Sequence, residues 1–265
     1  MVKKKEEEKE EKAVTVVEPA GAVMNAQPTF EDDAGVGFEN MGVQDMALPF
    51  IAILQSGSPQ VKRGEQKIEG AAEGDIFNTV TGQVHDGTEG IYVIPCAYKK
   101  AWVEWRPRDA GGGFVRQHDD EFIMAQTTKD DKNKDFLPNG NVVVPTAYHY
   151  VLIVDTLTGG YTEGVISMTS TQLKKSRKWN STMAQLKLPK QDGTMFTPPM
   201  FSHVYHLTTI PEANDVGAWS GWKIDIHSQV PSIDWYNAAK KFSADVRKGI
   251  VKEAIPTVDT EPEVF

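Results

Sequence analysis

A single cysteine, Cys96, stands in a chain of 265 residues. That excludes an intrachain disulfide framework and any multi-cysteine zinc site, and it fits a reducing compartment. Cys96 follows Pro95 inside an apolar run, where an inert buried thiol is expected. No apolar stretch approaches the ~20 residues needed to span a bilayer, so no membrane partner is expected. The opening MVKKKEEEKEEK has no apolar segment behind its lysines and is not expected to act as a secretory signal. The phosphate-cradling patterns GxxxxGK[ST] and GxGxxG are missing, as is a G-x-S-x-G nucleophile elbow. Gly111 to Gly113 lie between strand-like segments and read as a hairpin turn. His203 and His206 form an H-x-x-H pair, but in a strand residues three apart face opposite ways. No catalytic residue, metal or cofactor is therefore expected, and the chain does not read as an enzyme.

Net positive charge is lacking too: the formal charge is -9, which on its face argues against a polyanionic partner. Its distribution changes that reading. Residues 1–48 carry -6 and residues 251–265 carry -3, which leaves 49–250 neutral. A neutral body with local basic clusters can bind what the whole-chain charge would repel.

Composition divides the chain into a disordered charged extension (1–47), a β-rich domain (48–250) and an acidic tail (251–265). Order is expected to begin near Met46, with an apolar run to Leu54 that is a strand or a short helix. Strand-like runs follow at 74–80, at 90–98 with Pro95 marking an edge or a bulge, and at 99–108. More appear at 114–118, 142–144, 148–154, 162–167, 200–210 and 221–230; residues 127–141 read as a polar loop. One helix is expected from a Thr169-x-x-Gln172 capping box to about Leu188. A second is expected from Ser232, carrying the stripe Trp235, Ala239, Phe242 and Val246 and stopping at Gly249. Short strands with two late helices point to a mainly β, antiparallel barrel or sandwich with two added α-helices.

What the sequence does have is aromatic and basic residues interleaved. Tyr98, Lys99, Lys100, Trp102, Trp105, Arg106 and Arg108 fall within eleven residues, and Lys174, Lys175, Arg177, Lys178 and Trp179 form a second cluster. Single-stranded nucleic acid binding uses this combination, with cations tracking phosphates and rings stacking on unpaired bases. The plain alternative is core tryptophans beside a solvated basic face. Alternation sends one of Trp102 and Trp105 inward without saying which, and the lysines near 174–178 suit a solvated helix end equally well.

The last residues, with Asp259, Glu261, Glu263 and the terminal Phe265, offer acid and an aromatic to a basic-rimmed pocket on a partner. An aromatic, basic β-domain followed by an acidic tail ending in Phe resembles the single-stranded DNA-binding proteins of bacteria and bacteriophages. The resemblance implies an OB-like barrel (the oligonucleotide/oligosaccharide-binding fold) coating single-stranded DNA during replication or recombination. It also implies a tail that recruits replication and recombination proteins and competes with DNA for the basic groove. A location in the cytoplasm, the host's if the protein is viral, is expected; the sequence leaves open whether the chain is a homo-oligomer. The long N-terminal extension and the helix near 169–188 look more like the phage proteins. The tail lacks the run of aspartates common in the bacterial form. The rival expectation is a phage structural or assembly protein with no nucleic-acid role; a nucleic-acid enzyme is a third reading.

Overall fold

The computed structural model describes residues 30–42, 45–131, 133–215 and 217–251. The chain divides into two units, residues 1–40 and 41–265. In the first, the described residues form a run of turns from Phe30 to Asn40. The expected extension and tail fall largely on residues outside those described.

In the second unit the strands are β1 (Ile51–Ile53), β2 (Ile76–Asn78), β3 (Val84–His85), β4 (Ile91–Trp105), β5 (Phe114–His118), β6 (Thr128–Lys129), β7 (Asp135–Phe136), β8 (Val142–Val154) and β9 (Tyr161–Thr169). After α1 (Gln172–Gln185) come β10 (Leu188–Pro189), β11 (Met195–Phe196), β12 (His203–Asn214), β13 (Gly217–Gln229) and α2 (Ile233–Arg247). The main sheet runs β13-β12-β4-β8-β7-β6, with β5 also on β4 and β9 on β8. Its pairings are antiparallel, and it curls into a half-barrel. The expected mainly β fold with two added helices is what forms. No helix among the described residues is long and apolar enough to cross a membrane.

β4 and β8 are the spine. The runs expected at 90–98 and 99–108 are one strand, and so are those at 142–144 and 148–154. Pro95 sits at a β-bulge: it pairs with Val151, Ala97 pairs with Tyr150, and Cys96 is the extra residue. A bulge is one of the few places where a sheet tolerates the missing proline N–H. The polar loop at 127–141 contributes the two short strands β6 and β7.

Both faces of the spine are covered, which an alternating strand with one wet face would not be. On one face Ile94, Val103, Trp105, Tyr150 and Leu152 pack with Trp235, Ala239 and Phe242 of α2. On the other, Val93, Val151, Ile166 and Tyr205 pack with Trp179 and Met183 of α1, joined by Ile51 and Ile76 from the small sheet β1-β2-β3. Side chains of this size stabilise by about 1.5–3 kcal/mol each when fully buried.

The helices form for different reasons. α2 begins as its residues demand: Ser232 Oγ accepts the N–H groups of Asp234 and Trp235. Its buried stripe is Trp235, Ala239 and Phe242, and Gly249 follows with a φ of 69°. α1 does not use the expected capping box. Thr169 closes β9, Ser170 takes a φ of 46°, and Thr171 caps without a side-chain bond. Gln172 is turned elsewhere, accepting the Trp222 N–H at 3.2 Å.

Candidate nucleic-acid interface

The bulge at Cys96 decides which residues of β4 face α1. Before it, Ile91 and Val93 lie on that side; after it, Tyr98 and Lys100 do, because one inserted residue inverts the alternation. Tyr98 lies opposite His149 across the β4–β8 ladder, with ring centroids 5.2 Å apart. His149 stacks on Trp179 of α1 at 4.6 Å, and Trp179 meets Tyr205 edge-on at 5.5 Å. Of these four rings only Tyr98 reaches the surface, 39% exposed. β12 flanks β4 at 91–93 and β5 at 102–105, so among the described strands none lies beside Tyr98 on that edge.

His149 is fully buried and its Nε2 is 2.8 Å from Ser176 Oγ. Burial holds its pKa down to about 3, so the imidazole is neutral at neutral pH. His149 Nδ1, Trp179 Nε1 and the Tyr205 hydroxyl have no hydrogen-bond partner among the described residues.

The two basic-aromatic clusters are thus joined through Tyr98, His149 and Trp179, but not every expected site residue faces solvent. Trp102, Trp105 and Trp179 are 6%, 5% and 2% exposed. The expectation of one outward ring assumed one wet face, and this sheet has none at that point. Trp102 packs with Ile123, Leu137 and Val143; Trp105 packs on the α2 side and meets Phe114 edge-on. No stacking face on a base remains to these three. Lys99 pairs with Asp119 at 3.0 Å, and Lys100 Nζ sits 4.7 Å above the Trp102 ring. Arg106 and Arg108 lie past the end of β4 and are exposed. On α1, Lys175 pairs with Glu212 at 2.8 Å, while Lys174, Arg177 and Lys178 are exposed. Asp259, Glu261, Glu263 and Phe265 lie outside the described residues.

Sequence reasoning missed Glu104, which is 1% exposed. Its Oε2 accepts Arg116 Nε and contacts His118 Nε2, both at 2.9 Å; its Oε1 accepts Asn141 at 2.6 Å and Asn139 at 3.2 Å. Burial pushes the carboxyl up, but the bonds from Asn141, Arg116, His118 and Asn139 outweigh it and hold the pKa at about 2. The cluster ties the far end of β4 to β5 and to the turn that leads into β8. An ionised acid this close to the expected basic strand cancels part of its charge.

Also missed was an aromatic patch on the opposite face: Tyr92 stacks on His206 at 4.6 Å and meets His227 at 4.8 Å. The only signal for it was that all three are aromatic residues on strands. His203 and His206 do face opposite ways, bonded to Ser202 Oγ and to the Glu89 carbonyl respectively. A cleft of about 480 Å³ lies elsewhere, between the small sheet and the β8–β9 turn, lined by His85, Tyr92, Asp155 and Tyr161 among others. Cys96 is buried, and burial raises its thiol pKa far above the ordinary range. Among the described residues no group of His, Cys, Asp and Glu is arranged to hold a metal.

No curated protein matches this chain, and no solved structure matches it. A family model does, over residues 18–252, and its description is Pam3 phage gp34-like protein. That match covers the whole β-domain and the end of the extension before it, so the chain belongs to the Pam3 phage gp34-like protein family.

Proposed function

We propose that this phage protein binds single-stranded DNA and coats it during replication or recombination, acting stoichiometrically rather than as an enzyme. The observation that carries the reading is Tyr98, an exposed ring braced from behind by His149 and Trp179, with Lys100 two residues further along the same face of β4. Lys100, Lys174, Arg177 and Lys178 would track phosphates, and Tyr98 would stack on a base. Stacking of this kind is worth ~1–3 kcal/mol per base. Residues 49–250 are neutral, so the β-domain itself adds no net repulsion to the approach of DNA. The tail through Phe265 would recruit replication and recombination proteins and shield the basic surface until DNA displaces it.

Because Trp102, Trp105 and Trp179 are buried, tryptophan quenching would be a poor reporter. The test is fluorescence anisotropy of labelled oligo-dT at low salt, with duplex of the same length as control. Saturable binding preferring the single strand supports the reading, and no binding at micromolar protein refutes it. Deleting residues 259–265 should leave binding intact or tighter; weaker binding would remove the shielding role of the tail. A structural or assembly role in the phage is the second reading, favoured by the edge of β13 from Lys223 onward, which no other strand covers among the described residues. Ordered assembly beyond a dimer, without DNA, would select it.

A further inference from the structure

β13 ends the main sheet, and an open edge offers backbone groups to any strand that can reach them. Part of this edge is already capped. Gln55 takes both the N–H and the carbonyl of Ser220 at 2.9 Å, and Gln172 takes the N–H of Trp222 at 3.2 Å. These bonds show which way the groups point. Ser220 and Trp222 direct theirs away from β12, so by the alternation of an antiparallel strand Ile224 and Ile226 do the same. From Lys223 onward no such cap is present among the described residues. Ile226 is 47% exposed there, on the same face as Trp222 and Ile224. Lys223 and Asp225 lie on the other face, paired with each other at 2.9 Å and open to solvent.

We propose that this edge pairs antiparallel with the same edge of a second copy of the chain, about a two-fold axis at Ile224. Charge and apolarity choose that register. Centred on Ile224, Lys223 faces Asp225 of the other copy, twice by symmetry. On the opposite face Trp222 meets Ile226, and Ile224 meets itself. Centred on Asp225, two carboxylates would be directly opposed; centred on Lys223, two ammonium groups would be. Like charges directly opposite destabilise a sheet and opposite charges stabilise it. An isologous contact of this kind closes a dimer instead of propagating a fibre. The second copy's strand displaces Gln172 from Trp222, while the Gln55 clamp on Ser220 limits the paired stretch. The pairing does not depend on nucleic acid.

The experiment is analytical ultracentrifugation of the full chain without DNA, from micromolar to about millimolar. The wild type should shift from monomer to dimer as concentration rises. Lys223→Asp makes both facing positions acidic and Asp225→Lys makes both basic, so each variant alone should be monomeric. Mixed one to one, the two should dimerise again, because each acidic pair then meets a basic one. Circular dichroism of each variant should match the wild type, and Ile226→Lys should weaken the dimer at least tenfold without changing the fold. A wild type that stays monomeric throughout overturns the proposal. So does a wild-type dimer that survives either charge reversal, or charge-reversed variants that fail to rescue each other.

Discussion

The Trp179 indole lies over the His149 imidazole, ring centroids 4.6 Å apart and planes 23° from parallel. The tryptophan expected to read a base instead braces the sheet from the inside. Trp179→Ala should cost about 3–5 kcal/mol of stability by loss of a large buried side chain, measurable by denaturant unfolding. Tyr98→Ala, at the exposed end of the same ring series, should change stability by less than about 1 kcal/mol. It should weaken oligo-dT binding by about 1–3 kcal/mol. Equal losses of stability for the two would contradict the division between brace and contact.

Glu104 has four side-chain partners and no route to water. Glu104→Gln keeps the shape but presents a donor where Arg116 and His118, or Asn139 and Asn141, already donate. A loss of about 1.5–3 kcal/mol is expected, the scale of hydrogen bonds to a charged group. Arg116→Ala should cost less, since it removes one of the four bonds and the arginine side chain is itself 63% exposed. Thermal unfolding of the two variants side by side decides the order.

Stability should fall as the medium is acidified, in two stages. His149 keeps a folded pKa near 3 against an ordinary 6.5, so between those values the unfolded chain binds a proton that the folded chain refuses. The unfolded state is favoured as pH drops through that window, with a slope of up to about 1.4 kcal/mol per pH unit. Burial shifts His85 and His203 the same way. Glu104, held at about 2 against 4.5, contributes stability above its ordinary value that is lost below it. His149→Phe should flatten the slope between pH 6.5 and 5 while leaving the steeper fall below 4.5. Unfolding curves at half-unit pH steps would show it.

Replacing Lys174, Arg177 and Lys178 together by alanine should lower oligo-dT affinity and flatten its dependence on salt. Each lost contact to a single strand reduces the slope of log K against log salt by ~0.7. A drop of about 2 is expected if all three touch phosphate. An unchanged slope would place the bound strand elsewhere.

The parts of the fold that were legible were local. Ser232, the stripe through Phe242 and Gly249 carry the whole of α2 within eighteen residues of chain, and Pro95 marked an edge or a bulge, of which the bulge is what forms. What failed depended on distant partners. Gln172 matches a capping box only until Trp222, fifty residues on, claims its side chain. Trp102 and Trp105 alternate as expected, but alternation cannot say that both sides of a sheet will be covered. Glu104 draws on partners 12 to 37 residues away, and nothing in its own neighbourhood marks it as buried.

The extra residue at Cys96 makes β4 a strand of two parities. Odd-numbered residues before it share a side with even-numbered residues after it. Deleting that one residue would close the bulge and leave every pairing beyond it unchanged, because Ala97 would follow Pro95 in regular alternation opposite Tyr150. Tyr98 would stay beside His149, and the buried acid at 104 would stay on the face it shares with Tyr98. In relatives of this chain, then, a tyrosine one residue nearer Pro95 on a strand without the bulge occupies the same place as Tyr98, and counting residues without locating the bulge misplaces it.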